Sequence, residues 1–240
     1  LNPGLDASTC SNAASGRNLS VTAGSVAATS YNITNIDADP GLVPDAGNAT
    51  AGNGQSSNAI SGDIFSNPTT GSLTVVYDIV PVSAVGCGGD MVQVTLTVYP
   101  GPVLDPNLDA TVCSEEAGGI VLDIAAGSIA VANYNITNIN VANGLVAYIG
   151  NATAGNGKPA NEIESDKFTN TSSTAKTVVY DIVPVGITGC EGDMVQVTLT
   201  VNPEPVIDPG LNTTTCSDVA GGIILDVASG SVAAAGYNIT

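Results

Sequence analysis

The segment from Met91 to Val98 alternates residue by residue: Val92, Val94, Leu96 and Val98 fall on one side and Met91, Gln93, Thr95 and Thr97 on the other. That period of two predicts a β-strand with one buried face. The stretch before it, "LTVVYDIVPV", places Val75, Tyr77 and Ile79 on one face and Val76, Val80 and Val82 on the other. Apolar residues on both faces predict a central strand covered on both sides. The Gly-rich "SAVGCGGD" between the two segments predicts that they form a hairpin. Shorter apolar stretches, "NLSVT", "SYNITNI", "GLVPD" and "AISGDIF", add three or four strands, separated by Gly, Asn and Pro turns. About seven short strands in about 100 residues point to an all-β immunoglobulin-like sandwich, with a small barrel as the alternative.

The same pattern is then written again. Shifting the chain by 103 positions aligns residues 1–103 with 104–206 without a gap, and about 60 of the 103 positions are identical. "YNIT" begins at Tyr31, Tyr134 and Tyr237, "GNATAGNG" at Gly47 and Gly150, and "VVYDIVPV" at Val75 and Val178. The expected domains are residues 1–103, residues 104–206 and an N-terminal fragment of a third repeat at 207–240. A period this long matches tandem whole domains, each with its own core, and not a solenoid. Both ends read as cuts from a longer array. "YPGPVLDP" and "NPEPVIDP" place prolines at the junctions so that the chain cannot coil between domains, which predicts an extended rod.

The cysteines follow the repeat. Cys10 and Cys87 are 77 apart, as are Cys113 and Cys190, and Cys216 opens the third copy. The expected pairs are Cys10–Cys87 and Cys113–Cys190, with the partner of Cys216 outside the fragment; buried free thiols are the alternative. This pairing places Cys10 at the start of the first strand, at the end where the last hairpin turns. Disulfides imply an oxidising compartment, hence a secreted or surface protein.

Charge and composition narrow the function. Only 11 % of residues are charged, yet the formal net charge is −18, with Arg17, Lys158, Lys167 and Lys176 the only basic residues. Nucleic acid and anionic membrane surfaces are therefore not expected partners. No apolar run approaches the length of a membrane span, and no signal peptide is visible. Mean hydropathy is +0.28, unlike a disordered chain. There is no His, and the first repeat has no Lys, so Ser/His/Asp, Cys/His and Lys-based catalysis have no residues to run on. Asp78 and Asp181 lie mid-strand and Asp90 and Asp193 follow a turn, readings that fit a solvated face and a turn better than a glycosidase pair. No catalytic residues and no cofactor are expected. With no Trp, two Phe and seven Tyr, an aromatic platform for sugar rings is unsupported.

Calcium is the one ion the pattern raises. Asp105 and Asp109 at the "LDPNLD" junction are the candidate ligands, with Asp90 or Glu191 as helpers; the competing reading is Asx-turn chemistry beside a proline. Asn replaces Asp at Asn2 and Asn212, so the charge does not recur. Asp37, Asp39 and Asp45 align with Asn140, Ala142 and Tyr148, so that set does not recur either. Sequons at Asn18, Asn32, Asn48, Asn135, Asn151, Asn170, Asn212 and Asn238 leave glycosylation open.

The run "TVVYDIVPVSAVGCGGDMVQVTLTVYPGPV" resembles the PKD-like repeats of giant surface proteins from gliding and related Bacteroidota. The likeness lies in a Y-x-[VI]-x-P strand, a Gly-Cys hairpin and a closing V-T-V-x-P-x-P-V segment, and it extends over both repeats and the third fragment. The aromatic-and-glycine motif of animal-type PKD domains is absent, so the similarity to those is at fold level. The resemblance implies a type IX-secreted adhesin on the outer cell surface, its repeats forming a stalk or gliding-motility filament with no catalytic residues. Expected partners are neighbouring repeats of the same chain, with surface glycans or other cell-surface proteins if the repeats are instead binding modules. A binding array should keep its recognition loop, but residues 158–176 differ most from 55–73, which favours the spacer.

Overall fold

In the computed structural model, which describes residues 1–240, the two alternating segments form antiparallel strands, β6 (Leu73–Ser83) and β7 (Val92–Tyr99), with Tyr77 opposite Val94 and Val75 opposite Leu96. The β-branched and aromatic residues of both strands suit a pleated, half-buried surface. β2 (Ala28–Ala38) pairs antiparallel with β6 on its other side, and β4 (Gly52–Gln55) closes that edge. β1 (Ala7–Cys10) pairs with β7 in parallel. The order is β1-β7-β6-β2-β4, and β3 (Val43–Pro44) with β5 (Phe65–Ser66) forms a second, two-stranded sheet. The chain is all-β, built of two-sheet sandwich-like domains.

The core lies between these layers. Val75, Tyr77, Ile79, Val94, Leu96 and Val98 point inward from the large sheet and meet Leu5, Leu19, Ile60 and Phe65. The outer face of β6 is not covered: Val76, Val80 and Val82 are only half-buried, so the expected two-sided burial of this strand is corrected to one. The expected strand at "NLSVT" is an extended loop whose Leu19 is buried, and most of "AISGDIF" is turn, with only Phe65–Ser66 in a strand.

The second repeat forms the same elements: β8 (Ala110–Cys113), β9 (Val131–Val141), β10 (Leu145–Ala147), β11 (Gly155–Lys158), β12 (Phe168–Asn170), β13 (Lys176–Gly186) and β14 (Val195–Asn202), ordered β11-β9-β13-β14-β8 beside a β10-β12 pair. Residues 207–240 form no strand. In the full repeats the first strand needs the seventh and the second needs the sixth, and these residues contain neither.

The chain divides into two compact units that do not coincide with the repeats. The first comprises Leu1–Val103 together with Ala126–Ala132 and Pro184–Asp193; the second comprises Leu104–Ala125, Asn133–Val183 and Met194–Thr240. The β13–β14 hairpin tip thus belongs to the first unit.

Candidate functional site

Several repeated motifs are structural ties. Asn48 of "GNAT" uses its side-chain amide as a strand would, accepting from the Ile64 N–H and donating to the Ile64 carbonyl, both at 2.7 Å. Asn151 does the same to Lys167. Asn32 of "YNIT" accepts from the Gly54 N–H at 3.0 Å, and Asn135 accepts from Gly157. Gly54 has φ +73°, a left-handed conformation that favours glycine, which accounts for the recurring "GNG". Asn170 is buried and donates to the Thr174 and Val201 carbonyls, so this sequon is a core tie and not a glycan acceptor.

Asp63 is buried and accepts hydrogen bonds from the Tyr77 hydroxyl and the Ala49 N–H, both at 2.7 Å. Asp166 repeats this with Tyr180 and Ala152. Burial pushes both carboxyls above the ordinary carboxylate range, against the opposing pull of these hydrogen bonds, and burial raises both tyrosine hydroxyls as well. Neither pair opens onto a cleft, so each serves as an interlayer tie. Tyr31 and Tyr134 are also in the core. Ile60, Asp63, Phe65 and Asn67, identical in the aligned segment 158–176, are the buried positions of that variable region; what varies lies at exposed or half-buried positions.

Each calcium candidate accepts a local hydrogen bond. Asp105 accepts from the Asn107 N–H at 2.9 Å, an Asx turn. Asp109 accepts from the Thr198 N–H at 2.7 Å, tying the β8 strand to β14. No group of three or more acidic or cysteine side chains forms a metal cage. Asp78 and Asp181 make cross-strand hydrogen bonds to Gln93 and Gln196, while Asp90 and Asp193 are exposed.

The feature with a built geometry is the pole of the first unit where Cys10 lies. Cys10 is bonded to Cys190, and Cys87, Cys113 and Cys216 are free and exposed. This corrects the expected pairs Cys10–Cys87 and Cys113–Cys190. Cys10 is the last residue of β1, not its first, and β1 runs parallel to β7, which places Cys10 beside Tyr99. Cys87 sits in the β6–β7 hairpin, before β7 begins at Val92. Seven residues of strand rise separate the two positions by roughly 23 Å, whereas bonded cysteines have Cα atoms within about 7 Å. In the second repeat Cys113 lies beside Asn202, equally remote from its own hairpin.

Both arms of the bond are shaped by their own backbone. After Cys10 the chain turns back, the Ala13 N–H donating to the Cys10 carbonyl at 3.0 Å with Asn12 left-handed at φ 63°. The opposite arm is the β13–β14 hairpin, where the Gly186 N–H donates to the Cys190 carbonyl at 2.8 Å and Gly189 turns the chain at φ +83°. Between the arms runs the exit segment Pro100-Gly101-Pro102-Val103. Pro100 and Pro102 are buried, and the Val103 N–H donates to Ser128 Oγ at 2.8 Å. A Cβ on Gly192 would overlap the Pro102 carbonyl oxygen, and one on Gly101 would overlap the Glu191 carbonyl oxygen. Two backbones meet here at a distance only glycine allows.

That contact predicts the effect of Gly192→Val. The variant's side chain meets the Pro102 backbone, so the hairpin withdraws and Cys190, now 1 % exposed, becomes accessible to a thiol reagent. Gly89→Val is the control, because a Cβ there meets only Pro81 and not an exit segment. Labelling of the Cys10 and Cys190 peptides after mild reduction should be at least about 10-fold faster in the first variant, as a loss of roughly 1.4 kcal/mol of docking would give. Equal rates in both would show that the glycine contact does not hold the hairpin.

The family described as PKD-like domain matches residues 8–102 and 149–205. A search of curated proteins finds no match. Among solved structures, the chain is similar to the fibronectin(III)-like modules of Clostridium thermocellum CbhA, at 8 % identity, 84 % of this chain, 92 % of that one and a TM-score of 0.27. It is also similar to chicken VE-cadherin EC1-2, at 8 % identity, 83 % and 98 % coverage and a TM-score of 0.23. A third is the Bacteroides ovatus SGBP-B of a mixed-linkage glucan utilization locus, in complex with a mixed-linkage heptasaccharide, at 14 % identity, 82 % and 44 % coverage and a TM-score of 0.18.

Proposed function

Because the chain belongs to the PKD-like domain family, we propose that its repeats, 1–103, 104–206 and the fragment 207–240, form the stalk of a long adhesin on the bacterial outer surface. The stalk projects an adhesive tip and bears tension, in a gliding-motility filament of the type IX-secreted kind, and it performs no chemistry. The observation that carries this reading is the clamp on the exit segment. Pro102 is held between Gly186 and Gly192 while Cys10 and Cys190 bond across it. A chain pulled from its ends meets a covalent bond at this pole before it can straighten a linker. The disulfide fits an extracellular setting, and no helix is long and apolar enough to cross a membrane.

Small-angle X-ray scattering on chains of two, four and six repeats tests the reading. A stalk gives a maximum dimension that grows linearly with repeat number, by roughly 35–45 Å per repeat from strand rise and turns. Growth near the square root of repeat number, as for a flexible string, would refute it and leave independent binding modules as the account.

A further inference from the structure

The first repeat carries an unfilled copy of the groove that holds Pro102. It is a depression of about 700 Å³ at the β6–β7 hairpin pole, lined among others by Leu1, Ser25, Pro81, Cys87 and Gly89. Each position has its counterpart 103 residues on. Ser25 matches Ser128, which accepts the hydrogen bond from Val103; Pro81 matches Pro184; Gly89 matches Gly192; Cys87 matches Cys190. The two hairpins are alike in backbone. The Ser83 N–H donates to the Cys87 carbonyl at 3.0 Å where Gly186 donates to Cys190, and Gly86 turns at φ +82° where Gly189 turns at +83°. The tip is therefore preformed without the bond. The apolar rim is bare, with Val26 76 % and Val85 84 % exposed.

We propose that this groove docks the Pro–Gly–Pro–Val exit segment of another copy of this repeat placed ahead of Leu1, and that Cys87 closes the joint by bonding to that copy's equivalent of Cys10. The proposal deepens the stalk reading by specifying how one repeat grips the next. The complementary half-site is present on the second repeat: Cys113 is exposed at the end of β8, and Pro205 is exposed where its counterpart Pro102 is buried. Part of the docking recurs there, since the Val206 N–H donates to Ser231 Oγ at 2.8 Å as Val103 does to Ser128. Cys87 and Cys113 are thus unlike half-sites of the same kind of joint, each needing its partner from a different copy. They are not partners of Cys10 and Cys190 within a repeat. Closing it replaces two S–H bonds by one S–S bond. A small disulfide such as oxidised glutathione takes up the two electrons and the two protons and leaves as two thiols.

The test is the 240-residue chain extended at Leu1 by a second copy of residues 1–103, refolded in a glutathione redox buffer. Non-reducing peptide mapping should link Cys87 to the added copy's first cysteine and retain the Cys10–Cys190 link. Maleimide labelling of Cys87 should fall at least about 100-fold relative to the unextended chain, while Cys113 and Cys216 label as before. Gly89→Val in the extended chain fills the groove and should restore fast labelling of Cys87, with Cys190 still protected as the sign that the fold is intact. Cys87 labelling at the unextended rate, or a bond between the added copy's own two cysteines, overturns the proposal. A confirmed link combined with square-root growth in scattering would keep the docking and remove the stalk.

Discussion

Cys10→Ser will lower the stability of the first unit by roughly 5 kcal/mol, the chain-entropy value for a closed loop of 180 residues, whereas Cys87→Ser and Cys113→Ser will leave it unchanged within about 0.5 kcal/mol. The asymmetry follows from geometry. Cys10 and Cys190 are the bonded pair, and the thiols of Cys87 and Cys113 are exposed and not in a disulfide. Loss of the bond also frees the hairpin that packs around Pro102, so the thermal transition of the first unit should broaden as well as fall. The measurement is differential scanning calorimetry of the three variants beside the parent, under non-reducing conditions. A large loss in Cys87→Ser with none in Cys10→Ser would overturn the pairing. Equal losses in all three would point to damage unrelated to the bond.

The pairing also marks where sequence reading stops. Spacing alone identified two cysteine positions per repeat and could not rank the ways of joining them, because a repeat of 103 residues offers each Cys10-type residue a hairpin in its own repeat and one in the next. The choice turns on the direction of a four-residue strand. β1 carries no period that says whether it lies parallel or antiparallel to β7, and the parallel pairing with Tyr99 sends Cys10 away from its own hairpin. The β6–β7 hairpin was legible because eight alternating residues specify a face and a Gly-rich turn specifies a return. β4 was not, since "GNGQ" lacks β-formers; it is a strand because Asn32 and Tyr31 of β2 supply its hydrogen bonds. Leu19 belongs to a stretch whose pattern predicts a strand, and it is a single buried anchor on a loop. The glycines of the exit joint were visible as letters, but Gly192 matters for a backbone 90 residues earlier in the chain, and no local pattern encodes that approach.

Tyr77→Phe tests the interlayer tie, and its effect will depend on pH in a direction the structure specifies. The hydroxyl is one of two hydrogen-bond donors to the buried Asp63 carboxyl, the Ala49 N–H being the other. Removing it leaves one oxygen of a buried carboxylate without its partner, a loss of about 3 kcal/mol near neutral pH, enough to lower the melting point of the first unit by more than about 10 °C. Burial already holds Asp63 above the ordinary carboxylate range, so its folded pKa exceeds its unfolded one. Its contribution to stability is therefore greatest below the unfolded pKa and is lost as pH rises through the folded pKa. In Tyr77→Phe the hydrogen bond that opposed this shift is gone, so the folded pKa rises further and protonation relieves the penalty at a higher pH. The gap between variant and parent should accordingly narrow as pH is lowered from 7 toward about 4.5. Asp63→Asn combined with Tyr77→Phe, which has no charge to bury, should show no such narrowing. Urea midpoints for the first-unit transition at three pH values decide the matter. A gap that widens on acidification would mean that the hydroxyl binds the protonated carboxyl more strongly than the carboxylate, and would overturn the tie as a donor to the Asp63 anion.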